Sequence, residues 1–133
     1  MQSIDIIKIV KKGSLILILF SFVGAQTIEL NKKIITIKRH EVLIEVRGLV
    51  CSFCAMGLQG GLSSLKNIEP NKFNAGVFVD VEHQYVIIAE KDNYYINIEE
   101  VLEMITGSGY EVASIYTNRT GEKIEIWNVN TKE

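Results

Sequence analysis

The segment that decides the fold reads EVLIEVRGLVCSFC, residues 41–54, and it contains both cysteines of the chain. Apolar side chains alternate with other residues over 41–47, which is the period of a β-strand, and the alternation stops at Gly48. Leucines then recur at helical spacing on the same stripe as Cys54, which predicts a helix from about residue 54 to 66. The Cys-x-x-Cys pair is therefore predicted to lie where a first strand leads into a first helix.

Further elements are predicted between residues 76 and 116. Two β-rich runs, 76–81 and 85–89, are separated by a short connection and predict a hairpin. Asn97 can cap a second helix with an i, i+3, i+4, i+7 apolar stripe, and residues 110–116 predict a fourth strand. The order β-α-β-β-α-β predicts an α+β, ferredoxin-like sandwich, in which an antiparallel four-stranded sheet carries two helices on one face.

The first 25 residues have the layout of a secretory signal. Lysines precede an apolar run at 15–23, and the small residues that follow suit a signal peptidase, so we expect cleavage after Ala25. The run is shorter than the roughly 20 apolar residues that a membrane helix needs. We therefore expect a periplasmic or secreted protein, and the alternative is a domain anchored in the membrane by residues 13–25.

A chain of 133 residues is long enough for one ordinary domain. We place this domain at residues 41–116, between an N-terminal extension, 26–40, and a C-terminal extension, 117–133. An alternating pattern at 123–127 predicts an added strand in the C-terminal extension, and we place that strand beside residues 34–38.

Composition and charge limit the function. Apolar residues are 47% of the chain and charged residues 23%, which is typical of a globular protein. The formal charge of −2 offers no basic excess for covering phosphates, so nucleic acid is not an expected partner. We also expect a monomer. The sequence contains no supported Ser-His-Asp set and no glycine-rich phosphate loop, so we do not expect an enzyme.

The spacing of Cys51 and Cys54 has a specific chemical use. With one cysteine in a loop and the other in the first helical turn, both sulfurs can converge on one point, and the helix N-terminus favours the thiolate. Two thiolates select soft cations, and two-coordinate binding suits Cu(I) or Hg(II). Zn(II) is the less favoured metal because it normally takes four ligands.

The sequence resembles the heavy-metal-associated domain, a family that includes copper chaperones and the periplasmic mercuric-ion binding protein. The resemblance rests on Gly48 to Cys54 after a strand, on the order of the elements, and on Gly109-Tyr110 after the second helix. It implies that Cys51 and Cys54 are metal ligands with Tyr110 beside them. It also implies a carrier that hands its ion to a metal-transporting membrane protein or another cysteine-containing acceptor.

Other interpretations of the motif stay open. In an oxidising compartment the two cysteines could form a disulfide, or they could serve a thiol-disulfide redox protein. Thioredoxins have a tryptophan before the motif and a proline opposite the sulfurs, whereas here Val50 precedes it and the one proline is Pro70. Met56 is predicted to fill the core rather than to bind metal.

Overall fold

A computed structural model describes residues 26–127 and residue 129. In chain order the elements are β1 (Gln26–Leu30), β2 (Lys33–Ile37), β3 (Glu41–Arg47), α1 (Ser52–Ser63), β4 (Val77–Asp80), β5 (Tyr85–Ala89), α2 (Ile98–Gly107), β6 (Glu111–Asn118) and β7 (Glu125–Trp127). The strands form a two-stranded sheet, β1-β2, and a five-stranded sheet in the order β4-β5-β3-β6-β7. All neighbouring strands are antiparallel.

The predicted fold class is wrong. The part of the chain that the structure describes has seven strands in two sheets and two helices, and is mostly β, rather than a four-stranded ferredoxin-like sheet with two helices. The difference comes from both extensions, because residues 26–37 form a hairpin and residues 125–127 add a strand to the main sheet. The added strand was expected beside residues 34–38, but it pairs with β6.

The main sheet is covered on both faces. Its helix-side core contains Val42, Ile44 and Val46 of β3, together with Leu58 and Leu62 of α1. On the opposite face a second core, the hairpin-side core, consists of Leu30, Ile35, Ile37, Leu43, Tyr85 and Ile87. Alternate residues of β3 and β5 therefore face different apolar layers. Burial on both faces is the reason that these strands contain consecutive apolar residues.

A polar cluster also joins the hairpin to the main sheet. The Lys33 Nζ donates hydrogen bonds to Asp80 Oδ2 at 2.8 Å and to the Tyr85 hydroxyl at 2.9 Å. Partial burial by itself would raise the pKa of Asp80, but hydrogen bonds from Lys33 and from the backbone and ring of His83 outweigh it and lower that pKa to about 2. This cluster links β2 to the β4–β5 hairpin.

The two helices begin at different kinds of cap. The Asn97 side chain accepts hydrogen bonds from the backbone N–H groups of Glu99 and Glu100, as the sequence predicts for an N-cap. Helix α1 is instead capped by the side chain of Cys51. The first helix thus begins on one of the two cysteines.

The predicted signal, 1–25, and the alternative membrane anchor, 13–25, lie outside the described residues. Within residues 26–127 and at residue 129, no helix is long and apolar enough to cross a membrane.

Candidate functional site

The two cysteines lie at the N-terminus of α1, on the helix side of the sheet. Cys51 has an extended backbone, with φ −147° and ψ 157°, and its sulfur accepts a hydrogen bond from the backbone N–H of Cys54 at a distance of 3.2 Å. The Cys51 carbonyl accepts from the N–H of Ala55 at 3.1 Å, which begins the helical hydrogen bonds. Both cysteines are half-buried and neither is in a disulfide.

This arrangement favours the thiolate of Cys51. A hydrogen bond with the Cys54 thiol is the largest cause of a lowered pKa for Cys51, and the backbone N–H groups of Cys54 and Phe53 lower it further. Desolvation acts in the opposite direction and is outweighed. A helix N-terminus lowers thiol pKa values in general, because its free N–H groups point toward the sulfur.

Tyr110 lies beside the cysteines, where the resemblance places it. Burial is the largest cause of its raised pKa, followed by a hydrogen bond with Cys54 and by the charges of both sulfurs. Its ring also lies near the loop before the cysteines, since a Cβ built on Gly48 would be 3.5 Å from Tyr110 Cδ1. The structure therefore brings Cys51, Cys54 and Tyr110 together at one end of the main sheet.

Three large side chains that neighbour the cysteines in the chain are apolar and exposed. Val50 is 82% exposed, Phe53 85% and Met56 66%, so the prediction that Met56 fills the core is wrong. No Asp, Glu, Lys or Arg occurs between Gly48 and Leu65. We call Val50, Phe53 and Met56 the apolar rim. Exposed large apolar side chains that lie together commonly mark a contact surface.

A groove begins at the rim and runs between α1 and β4. Its volume is about 380 Å³, and its walls include Ala55 and Met56 of the helix and Phe73 and Phe78 on the strand side. Gln59 crosses it, because its side-chain amide donates a hydrogen bond to the carbonyl of Asn74 at 3.0 Å. The groove is apolar along most of its length.

Gln84, which sequence reasoning missed, holds the loop that leads to Cys51. Its Oε1 accepts hydrogen bonds from the backbone N–H groups of Gly48 and Leu49, each at 3.0 Å. Its Nε2 donates to the carbonyls of Leu49 and Val81. The one available sequence signal was the connection 82–84, which lacks the glycine or asparagine usual in a tight hairpin.

The cysteines offer two sulfur ligands, and the described acidic and histidine side chains do not join them in a larger ligand group. In the described part of the chain, no group of three or more His, Cys, Asp and Glu residues could hold a metal ion. Both histidines lie next to aspartates: His40 Nε2 is 2.9 Å from Asp92 Oδ1, and His83 Nδ1 is 3.0 Å from Asp80 Oδ2. A metal ion at the cysteines would thus be bound by two thiolates of this chain.

No protein-family model matches this chain, and no curated protein or solved structure matches it either. The resemblance to the heavy-metal-associated domain therefore stays a prediction that rests on the residues themselves.

Proposed function

We propose that this protein binds one soft metal ion, Cu(I) or Hg(II), between Cys51 and Cys54 and passes it to a cysteine-containing acceptor. The observation that carries the proposal is the hydrogen bond from the Cys54 N–H to the Cys51 sulfur at the start of α1. It favours the thiolate, which is the form of cysteine that binds metal. Soft thiolates prefer soft ions, and two of them satisfy an ion that accepts two-coordinate binding.

The shape of the site supports transfer rather than storage. Both cysteines are half-buried, so an incoming sulfur can reach an ion that they hold. Two protein ligands leave the ion open to a third, and the ion can then change partners by ligand exchange without release into water. A fully enclosed site would block this approach.

The acceptor is proposed to be a metal-transporting membrane protein or another protein with exposed cysteines. It would meet the apolar rim of Val50, Phe53 and Met56, which are exposed and lie within two residues of a cysteine in the chain. Because residues 48–65 contain no Asp, Glu, Lys or Arg, contact there would depend on apolar burial more than on ion pairs.

A thiol-disulfide redox protein is the second candidate. The lowered pKa of Cys51 and its half-buried position are also properties of a reactive thiol. The two candidates differ in what the reduced protein does with a soft metal in competition with a small dithiol.

Mass spectrometry of the reduced protein under anaerobic conditions separates the two candidates. We expect one Cu(I) or one Hg(II) per chain when each metal is offered alone, and weaker binding of Zn(II). Cys51→Ser and Cys54→Ser should each abolish tight binding and leave the circular dichroism unchanged, whereas Ser52→Ala, between them, should bind as the wild type does.

The carrier proposal fails if either serine variant keeps full affinity, or if the reduced wild type binds no soft metal in competition with a small dithiol. A disulfide reduction potential close to those of known oxidants would then support the redox alternative.

A further inference from the structure

Gln84 occupies a backbone conformation that does not suit its residue type. It lies in the connection between β4 and β5 with φ +59°, in the left-handed region. Glycine and asparagine enter this region more easily than glutamine does. A residue in this region carries a conformational cost, which hydrogen bonds of its side chain can offset.

All the hydrogen-bonding capacity of that side chain is directed to backbone groups. Oxygen Oε1 accepts from Gly48 and Leu49, and Nε2 donates to the carbonyls of Leu49 and Val81, which uses both lone pairs and both N–H groups of the amide. The Gln84 carbonyl also accepts from the N–H of Val46, at 2.9 Å. One residue thus connects the end of β3, the following loop and the β4–β5 hairpin.

The loop so held leads directly to the sulfurs. Gly48 has φ +99°, a Cβ built on it would be 3.5 Å from Tyr110 Cδ1, and Leu49 is buried in the helix-side core. Cys51 follows two residues later and caps α1. The position of the Cys51 sulfur relative to the Cys54 N–H depends on where this loop places the Cys51 backbone.

We propose that Gln84 is a positioning residue for the thiol pair. Its side chain fixes the backbone of Gly48 and Leu49, and through that backbone it holds Cys51 at the N-terminus of α1. The consequence for metal affinity rests on the proposed function. The effects on amide exchange in the loop and on the dithiol–disulfide equilibrium are independent of metal binding.

The test compares Gln84→Asn with two control variants. Asparagine keeps the amide and tolerates the left-handed backbone, but it is one methylene too short to reach the loop. Gln59→Asn shortens a glutamine that makes one side-chain hydrogen bond, to the Asn74 carbonyl. Ile87→Val weakens the hairpin-side core on the opposite face of the sheet, and it controls for a general loss of stability.

Three measurements are made on the purified reduced proteins under conditions in which all variants are folded. They are amide hydrogen exchange at Gly48 and Leu49, Hg(II) affinity in competition with a small dithiol, and the equilibrium between dithiol and disulfide in glutathione buffers. For Gln84→Asn we expect loss of exchange protection at both amides and an Hg(II) affinity lower by about tenfold, the size of effect seen when partners of metal ligands are removed. Both controls should keep the wild-type affinity.

The proposal is overturned if Gln84→Asn leaves the Hg(II) affinity of a metal-binding wild type unchanged, whatever happens to exchange, or if Ile87→Val lowers that affinity as much as Gln84→Asn does. If the wild type binds no soft metal, the proposed function fails, and Gln84 is then judged on exchange and on the glutathione equilibrium. A loss of protection with a shifted equilibrium supports its positioning role, and no change in either refutes it.

Discussion

Replacing Leu43 by alanine tests whether the β1-β2 hairpin covers the second face of the main sheet. Leu43 is fully buried, and it belongs to the hairpin-side core with residues such as Ile35 and Ile37. In the four-stranded fold predicted from the sequence, this side chain would lie on the face without helices. A truncation on an uncovered face would change the unfolding free energy by less than about 0.5 kcal/mol.

The expected cost follows from what the substitution removes. Leu→Ala deletes three carbon atoms, and at about 0.8 kcal/mol per methylene the lost transfer free energy is about 2.4 kcal/mol. The neighbouring side chains of two packed sheets collapse only in part, which adds a cavity contribution, so we expect a total of about 2.5 to 4 kcal/mol. Leu62→Ala, at an equally buried position of the helix-side core, should cost a similar amount.

Reversible unfolding in urea, followed by circular dichroism, measures both effects. Ile34→Ala is the matched control, because Ile34 belongs to the same hairpin but is 73% exposed, and its cost should stay below about 0.5 kcal/mol. A cost below about 1 kcal/mol for Leu43→Ala, with Leu62→Ala costly as expected, would refute the second core.

The remaining predictions concern pH, helix propensity and the site. The folded-state pKa of Asp80 is lowered to about 2, so the charged carboxylate stabilises the fold above its unfolded pKa of about 3.9. This stabilisation is lost as the pH falls from about 3.9 toward about 2. The difference in unfolding free energy between the wild type and Asp80→Asn should therefore shrink over that range. Gly60→Ala should stabilise the protein by about 0.5 to 1 kcal/mol in urea unfolding, since a Cβ there has no neighbour within 4 Å, and a loss of stability would contradict the open helix face. Gly76→Ala should instead destabilise the protein in urea unfolding, because its Cβ would clash with Ile68 Cγ2 and φ is +88°. Tyr110→Phe keeps the ring and removes the hydroxyl that hydrogen-bonds with Cys54. We expect the Hg(II) affinity to fall by up to about tenfold, with little change in stability. An unchanged affinity would show that the hydroxyl has no part in the site.

Elements whose signals are local could be predicted from the sequence. The strand at 41–47, the β4–β5 hairpin and the helix capped by Asn97 occur near the predicted positions, because residue period and capping act over a few neighbouring residues. The Cys-x-x-Cys spacing likewise indicated that the thiols lie at a helix start, and Cys51 does cap α1.

The sequence also contains a signal for the second face of the sheet. Residues 42–44 and 86–88 are consecutively apolar, and such runs are typical of strands that are buried on both faces. If these strands are interpreted as buried on one face only, the main sheet has no second apolar face for residues 26–40 to cover. Leu43 and Ile87 in fact face the hairpin-side core that those residues complete.

By itself the sequence determined the period of strands β3 to β7 and of both helices, and the placing of two thiols at the start of a helix. The tertiary structure alone decided that residues 26–37 cover the second face of the sheet, that β7 pairs with β6, and that Gln84 holds the loop before Cys51. The physical reason is separation along the chain. The Gln84 side chain reaches backbone groups 35 and 36 residues away, and such a contact depends on the closure of the whole sheet, which no local pattern records.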